Sequence, residues 1–212
     1  MINPKEKIVN ILIKKGNKLF KQQYKYIEFT KNNESDKLLN NLKDFTHAFV
    51  IACVMDRQIK TEKDLLIPYE ISKEVKGFKL SHLLRINQED MVEIFKRKSL
   101  RRFNEIVGKN FYFAIQKIHN NYHDDASNIW KDNPRSATVV RGFLEFRGIR
   151  IKITTMAANT LARDFKIPMK DYINIDISPD VRIKRVFKRL GFISKDASND
   201  KLVYCARELN PM

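Results

Sequence analysis

The chain has 212 residues, 43% of them hydrophobic, with six glycines and six prolines, which excludes a disordered or low-complexity protein. Its formal net charge of +16, from 41 Lys and Arg against 25 Asp and Glu, suits a polyanionic partner, nucleic acid before an anionic membrane. Two cysteines, Cys53 and Cys205, exclude a disulfide framework and a four-cysteine metal site.

Helical periodicity fills the first half of the chain. We predict helices over 4–28, 35–56 with Ser35 as N-cap, 62–75, 88–98 after the N-cap Asn87, and 104–122. The second half of the 35–56 helix becomes increasingly apolar, which predicts that it crosses a core. Pro68 should kink or split the 62–75 helix, because proline lacks the backbone N–H that a helix interior needs.

The second half of the chain is also helical in pattern. We predict helices over 135–146, 152–165, 178–191 and about 198–209, with "DYINIDIS" (171–178) as an extended linker. Strand signals are scarce, so we predict an all-α protein of about ten helices. We further expect one domain over 1–212, folded as two helical lobes with a central cleft.

The N-terminal stretch "MINPKEKIVNILIKKGNKLF" has no long apolar segment and no small-residue cleavage site. We therefore expect no signal peptide. No apolar run approaches the roughly 18 residues that a membrane-spanning helix needs. These features predict a cytoplasmic protein with no membrane partner.

The positive charge is concentrated in two places. Residues 141–189 contain 12 Lys and Arg against five Asp and Glu. A second cluster is "KRKSLRR" at 96–102, which is equally compatible with an ordinary solvated surface.

The 141–189 region contains a turn, "FRGIRI" (146–151), between two predicted helices. Gly148 can adopt backbone angles that are closed to other residues. The next helix begins near Ile151, so its first N–H groups point outward and can bind a phosphate. Arg147, Arg150 and Lys152 add positive charge around that position. The pattern predicts a helix–hairpin–helix element over about 136–165 that grips one DNA strand without base recognition.

This stretch resembles the hairpin of the endonuclease III-like helix–hairpin–helix DNA glycosylase superfamily (HhH-GPD), in which a glycine-x-glycine turn leads into a helix with a catalytic lysine. "SPDVRIKRVFKRLGF" (178–192) is similar to the family segment in which a catalytic aspartate starts a helix. The resemblance covers roughly residues 45–192, and it implies that Lys152 and Asp180 are catalytic. Arg150 replaces the second hairpin glycine, and a positive φ at an arginine would cost about 1 kcal/mol or more.

The resemblance also implies a set of DNA-binding residues. The segment 49–71 is similar to an early family helix and loop whose polar residues enter the duplex where the damaged base leaves. The implied DNA contacts are Gly148, Arg147 and Arg150 in the hairpin, Asp56, Arg57 and Gln58 in the early loop, and Arg182 and Arg185 in the last segment.

The resemblance implies a base-excision enzyme that acts on double-stranded DNA with a damaged or mismatched base. We expect it to be a monomer and to be associated with the nucleoid of a prokaryotic cell. Two forms stay open: a monofunctional glycosylase, and a bifunctional one in which Lys152 forms a Schiff base and cleaves the strand by β-elimination. Oxidised pyrimidine, 8-oxoguanine, alkylated base and mismatched thymine or uracil all stay open as substrates. Because the cysteines of the family's iron–sulfur loop are absent, we expect no iron–sulfur cluster or other cofactor.

Two other hypotheses explain part of the sequence. A non-catalytic helix–hairpin–helix protein would bind DNA through the same turn, with Asp180 serving only as a helix-start residue. A basic helical protein that binds RNA or an acidic protein would explain the charge alone. The histidines have no metal-binding spacing, so we expect no metal site at His47, His82, His119 or His123.

Overall fold

The structure is a computed structural model that describes residues 4–56 and 61–209. Every regular element in these residues is helical, which confirms the prediction of an all-α protein. The α-helices are α1 (Pro4–Phe20), α2 (Asn33–Asn40), α3 (Thr46–Met55), α4 (Thr61–Leu65), α5 (Ile67–Glu74), α6 (Leu80–Leu83), α7 (Gln88–Arg97), α8 (Asn104–Tyr122), α9 (Ser136–Leu144), α10 (Ile151–Asn159), α11 (Val181–Arg189) and α12 (Asn199–Leu209). A 3₁₀ turn (Ala126–Ile129) precedes α9, and a π-helical turn (Thr160–Asp164) extends α10.

Helix α3 lies at the centre of the hydrophobic core, as its apolar sequence predicts. All ten of its residues, "THAFVIACVM", are buried. It packs against α2, α4, α5, α8 and α10. Phe49 of α3 meets Trp130 and Phe143 edge to face, with ring centroids 6.4 Å apart in both pairs. Trp130 is therefore a core residue, and α3 runs through the core with its C-terminal end beside α10.

The predicted helix 35–56 is wrong in one respect, because it is two helices with a turn between them. Helix α2 ends at Asn40 and α3 begins at Thr46. The turn forms because the Asn41 side chain accepts the Asp44 N–H at 3.0 Å. The N-cap of α2 is Asn32 rather than Ser35, since Asn32 Oδ1 accepts the Ser35 N–H at 2.9 Å.

The predicted helix 4–28 is too long, since α1 ends at Phe20. Residues 21–32 run along α2 instead. The Asn40 side chain accepts the Ile27 N–H at 3.0 Å and donates to the Ile27 carbonyl at 2.9 Å. The buried Asp36 carboxylate accepts the Thr30 N–H and hydroxyl, both at 2.8 Å. These distant side chains satisfy backbone groups that a continued helix would have paired locally.

Two local predictions are confirmed. Pro68 lies in the first turn of α5 and separates it from α4, which ends at Leu65. Asn87 caps α7, because its Oδ1 accepts the Asp90 N–H at 2.8 Å. Both features depend on residues within one helical turn, so the sequence contains all that determines them.

Helices α11 and α12, the last two in the described residues, lie outside the main core. Residues 166–180 have no regular structure, which agrees with the predicted linker over 171–178. Helices α11 and α12 pack on each other; α11 buries no residue and α12 buries only Leu202. No helix in residues 4–56 and 61–209 is long and apolar enough to cross a membrane.

Candidate nucleic-acid interface and active site

The hairpin consists of α9, the turn 145–150 and α10. Gly148 lies in the turn with φ +85°, in the left-handed region that glycine adopts without penalty. Arg150 is the N-cap of α10 with φ −126° and ψ 163°, an extended conformation open to any residue. The expected strain at Arg150 is therefore absent, because the turn needs a positive φ at Gly148 and not at Arg150.

The start of α10 is open. No side chain caps this helix in the described residues, and the Ile153 and Thr154 N–H groups both reach the Arg150 carbonyl, at 2.9 and 3.2 Å. The N–H groups of Ile151 and Lys152 come too early in the helix to have an intrahelical acceptor. Arg150, Ile151 and Lys152 are all exposed. This arrangement suits an anion such as a phosphate.

Helix α8 supports the turn from below. Tyr122 stacks on Phe146, with centroids 5.9 Å apart and an interplanar angle of 6°. The Tyr122 hydroxyl lies 3.2 Å from Glu145, and burial together with that carboxylate raises the pKa of Tyr122. The Arg147 guanidinium lies over the Phe113 ring, 3.9 Å from its centroid. The turn is thus held by contacts that leave Gly148 and Arg150 at the surface.

Lys152 and the segment that precedes Asp180 meet at the first turn of α10. The Ser178 hydroxyl lies 3.5 Å from the Lys152 carbonyl, at the limit of a hydrogen bond. Asp180 is the N-cap of α11, and its Oδ1 accepts the Ile183 N–H at 2.7 Å. The Lys152 backbone and Ser178, two residues before Asp180, therefore lie in one neighbourhood, although 28 positions of sequence, 152 to 180, separate the two candidate residues.

Asp56 is the third charged group of this neighbourhood. It ends α3 and is only 6% exposed. Burial raises the pKa of the Asp56 carboxyl, while the positive charges of Lys152 and Arg101 act on it in the opposite direction. The structure thus brings Asp56 under the influence of Lys152. Arg57 and Gln58, the other two residues predicted for this loop, lie outside the described residues.

Arg101 is a residue that sequence reasoning missed. It lies in the loop between α7 and α8 and pairs with Asp64, whose side chain is 1% exposed. The sequence signal was only the charge cluster "KRKSLRR", which does not distinguish Arg101 from its neighbours. Two large apolar side chains lie at the surface nearby: Phe103 in the same loop is 58% exposed, and Ile106 in the first turn of α8 is 57% exposed.

Helix α11 carries a dense positive charge. Its nine residues include no acid and five cations, and in the described part of the chain none of the five forms a salt bridge. These cations are Arg182, Lys184, Arg185, Lys188 and Arg189. The predicted DNA contacts Arg182 and Arg185 are both exposed.

The described residues contain no group of His, Cys, Asp or Glu that could hold a metal ion. His119 Nδ1 and Asp124 Oδ1 lie 2.7 Å apart at the end of α8, as an ordinary side-chain pair. The absence of a cofactor stays a prediction, as does the central cleft. Two surface grooves, of about 610 and 310 Å³, lie along α1 and at the N-terminal end of α3, and neither is lined by Lys152 or Asp180.

Comparison with known proteins gives a likeness of fold. No protein-family model matches the chain, and no curated protein matches it significantly. A similar solved structure is that of endonuclease III trapped as a covalent intermediate with DNA, in an estranged-adenine complex. The TM-score is 0.57 at 15% identity, over 100% of this chain and 80% of that chain. The chain therefore has a helical fold of the endonuclease III type.

Proposed function

We propose that this protein is a DNA base-excision glycosylase that removes a damaged or mismatched base from duplex DNA. The observation that carries the proposal is the glycine hairpin that leads into an open helix start, with Lys152 in its first turn and the Asp180 segment against it. The endonuclease III-type fold supports the same function. Neither residue alone would suffice, since a lysine or an aspartate at a helix start is common.

The hairpin and α11 supply the binding surface. The open N–H groups of α10, with Arg150 beside them, suit the phosphates of one strand. The cations of α11, which form no salt bridge with any described residue, extend this positive surface beyond Asp180. Contacts of this kind are independent of sequence, as an enzyme that searches for rare lesions needs.

Apolar side chains near Arg101 suit the gap that a displaced base leaves in the duplex. Removing a base from the stack costs a few kcal/mol and leaves a gap in the duplex. Phe103 and Ile106 are large apolar side chains with more than half of their surface in water. Apolar side chains of this kind can insert between bases and replace lost stacking. Damaged or mispaired bases are favoured, because they stack less well.

Breaking the N-glycosidic bond leaves positive charge on the deoxyribose. In the proposed mechanism the Asp180 carboxylate stabilises that charge. The departing base takes the electrons of the C1′–N bond and is protonated. In the monofunctional form, water forms the new bond to C1′.

In the bifunctional form, the neutral Lys152 amine forms the bond to C1′ in place of water. The adduct opens to a Schiff base, and loss of a C2′ proton with departure of the 3′-phosphate cleaves the strand. Lys152 must first lose a proton. That proton passes to a base or to water.

One observation favours a second candidate, a DNA-binding protein without catalysis. Asp180 Oδ1 accepts the Ile183 N–H at 2.7 Å, which is the ordinary role of an N-cap aspartate. Such a protein would bind duplex DNA through the hairpin and α11, and it would not need the Asp180 negative charge.

The test uses end-labelled duplexes that each carry one lesion, with borohydride present to trap a Schiff base. Wild type is compared with Lys152→Gln, Asp180→Asn and the control Lys170→Gln, which removes another exposed lysine of the same basic region. We expect base release in wild type and the control, and its loss in Asp180→Asn. A trapped adduct that disappears in Lys152→Gln would establish the bifunctional form.

Two results would contradict the proposal. The first is the absence of base release across the panel. The second is base release that persists unchanged in Asp180→Asn. Tight duplex binding in all four proteins, without release, would establish the non-catalytic candidate.

A further inference from the structure

The connection between the hairpin helix and Asp180 is long for a compact protein. Residues 166–180 have no regular structure, and structureless loops longer than about 12 to 15 residues are uncommon unless they are functional or disordered. This one is held in place. Tyr172 and Ile175 pack against the hydrophobic core, and the Lys170 N–H donates to the Pro134 carbonyl at 2.9 Å.

The first anchor of the connection is Ser136, the first residue of α9, which is fully buried. Asp171 Oδ1 accepts both the Ser136 N–H, at 3.3 Å, and the Ser136 hydroxyl. Asn174 donates to the Ser136 hydroxyl oxygen from its backbone at 3.2 Å and from its side chain at 3.3 Å. Arg135, the N-cap, provides no side-chain hydrogen bond, so the start of α9 is capped from the connection.

The second anchor comes from the C-terminal helix. Arg207 of α12 donates two hydrogen bonds of 2.6 Å to the two carboxylate oxygens of Asp176. A bidentate arginine–carboxylate pair restrains direction as well as distance. The Asp176 side chain is 16% exposed, so the pair is partly shielded from water. The next contact along the chain is that of Ser178 with the Lys152 carbonyl.

We propose that the Arg207–Asp176 pair, together with the Ser136–Asp171 contact, positions Asp180 relative to Lys152. This inference rests on the proposed function and identifies Arg207, Asp176, Ser136 and Asp171 as positioning residues. Asp180 is four residues beyond Asp176. Breaking the Arg207–Asp176 pair therefore lets residues 176–180 adopt a wider range of positions. A displacement of about 1 Å at a reacting group can lower a rate about 100-fold. Helix α12 thereby acts on the active site through the connection.

The experiment compares Arg207→Gln with the matched control Arg163→Gln. Arg163 also forms a bidentate pair, with the adjacent Asp164, and its side chain is 49% exposed against 48% for Arg207. The control therefore loses the same charge and the same kind of pair without freeing the connection. Asp176→Asn is the second variant, which keeps the shape of the side chain if Arg207→Gln folds poorly.

The first readout is amide hydrogen exchange over residues 176–184 and needs no activity. We expect faster exchange there in Arg207→Gln and wild-type exchange in Arg163→Gln. The second readout is the single-turnover rate of base release, which we expect to fall about tenfold or more in Arg207→Gln. The duplex Kd should stay unchanged, because α11 and the hairpin keep their cations.

Two further measurements separate positioning from general damage. In an Asp180→Asn background, Arg207→Gln should not lower further whatever residual rate is left, because it acts through Asp180. Exchanging the partners, Arg207→Asp with Asp176→Arg, should restore part of the rate.

Unchanged exchange over 176–184 in Arg207→Gln would overturn the inference, and so would a rate that falls equally in both arginine variants. If exchange reveals the anchor but wild type releases no base from any lesion, the proposed function fails. The catalytic positioning role then fails with it, while the anchor remains a structural contact.

Discussion

Two segments of this protein carry five cations each and differ in their surroundings. The segment 96–102 has five cations in seven residues, and α11 has five in nine. In the first segment, Arg97, Lys98 and Arg101 each pair with a carboxylate. In α11 no cation forms a salt bridge with any described residue. A cluster of positive residues therefore indicates an interface only when the fold leaves it without acidic neighbours.

The acids that neutralise the 96–102 segment come from α4 and α5, earlier in the chain. Glu70 and Glu74 lie 3.3 and 3.0 Å from the Lys98 amine, and Arg97 pairs with Glu74. The hydrogen bond from Lys73, and after it the one from Lys98, lowers the pKa of Glu70. Hydrogen bonds from Lys98 and Arg97 lower the pKa of Glu74. The segment thus attaches the end of α7 to α5, a structural role, whereas α11 stays available to a polyanion.

The first prediction, with the strongest change, tests the structural role of the 96–102 segment. Arg101→Gln should lower the free energy of unfolding by about 3 kcal/mol, because it breaks the pair with the buried Asp64. Arg185→Gln in α11 should change it by less than about 0.5 kcal/mol, as exposed substitutions usually do. Urea unfolding of both variants and wild type measures the difference. Equal midpoints for the two variants would show that Arg101 is as dispensable as a surface cation.

The second prediction tests the binding role of α11. The triple variant Arg182→Gln, Arg185→Gln, Arg189→Gln should reduce the slope of log affinity against log salt by about 0.9 for each phosphate that it no longer neutralises. The control triple Lys96→Gln, Arg97→Gln, Arg102→Gln removes the same charge from the other segment. Fluorescence anisotropy with a labelled duplex at several salt concentrations measures both slopes. Equal reductions would mean that net charge alone, and not α11, determines the affinity.

The third prediction concerns Asp56. The positive charges of Lys152 in the hairpin and Arg101 in the 96–102 segment both act on its carboxyl. Since burial raises the pKa of Asp56, the folded state holds this proton more tightly than the unfolded state. Stability should therefore fall as pH rises from the ordinary carboxyl range, about pH 4, through the raised pKa. Unfolding curves across this range should show a flatter dependence in Asp56→Asn than in wild type.

Arg101→Gln sharpens the same measurement. It removes a positive charge that lowers the pKa of Asp56, so the fall in stability should still begin at about pH 4 and should extend to higher pH. A pH dependence identical in wild type and Asp56→Asn would show that Asp56 does not titrate differently on folding.

The fourth prediction, with the weakest change, removes two acidic partners of the 96–102 segment, so that Arg97 and Lys98 lose their salt bridges and resemble the cations of α11. The double variant Glu70→Gln, Glu74→Gln should release Lys98 and Arg97 and lower stability only modestly, because the paired side chains are partly exposed, by 21–60%. Duplex affinity at low salt should rise slightly. An unchanged affinity would mean that the location of the 96–102 segment, and not its pairing, keeps it from DNA.

Several local features of this protein were predictable from its amino-acid sequence. The Asn87 cap, the break at Pro68, the buried α3 and the turn at Gly148 all follow from residues within one or two helical turns. At that range, capping groups, backbone angles and apolar periodicity act directly on their own helix. The hairpin and its lysine were predictable for the same reason.

Contacts between groups that are distant in sequence were not predictable, because they depend on how the helices pack. The helix predicted over 4–28 is shorter in the structure, because the Asn40 and Asp36 side chains accept the backbone N–H groups of Ile27 and Thr30. The start of α9 is capped by Asp171, which lies 35 positions away from Ser136 in sequence. Asp56 comes near Lys152, and Arg101 pairs with Asp64, for reasons no local pattern contains. A hydrogen bond or charge pair depends on distances of a few ångströms. Those distances are set only when the helices pack and bring remote parts of the chain together.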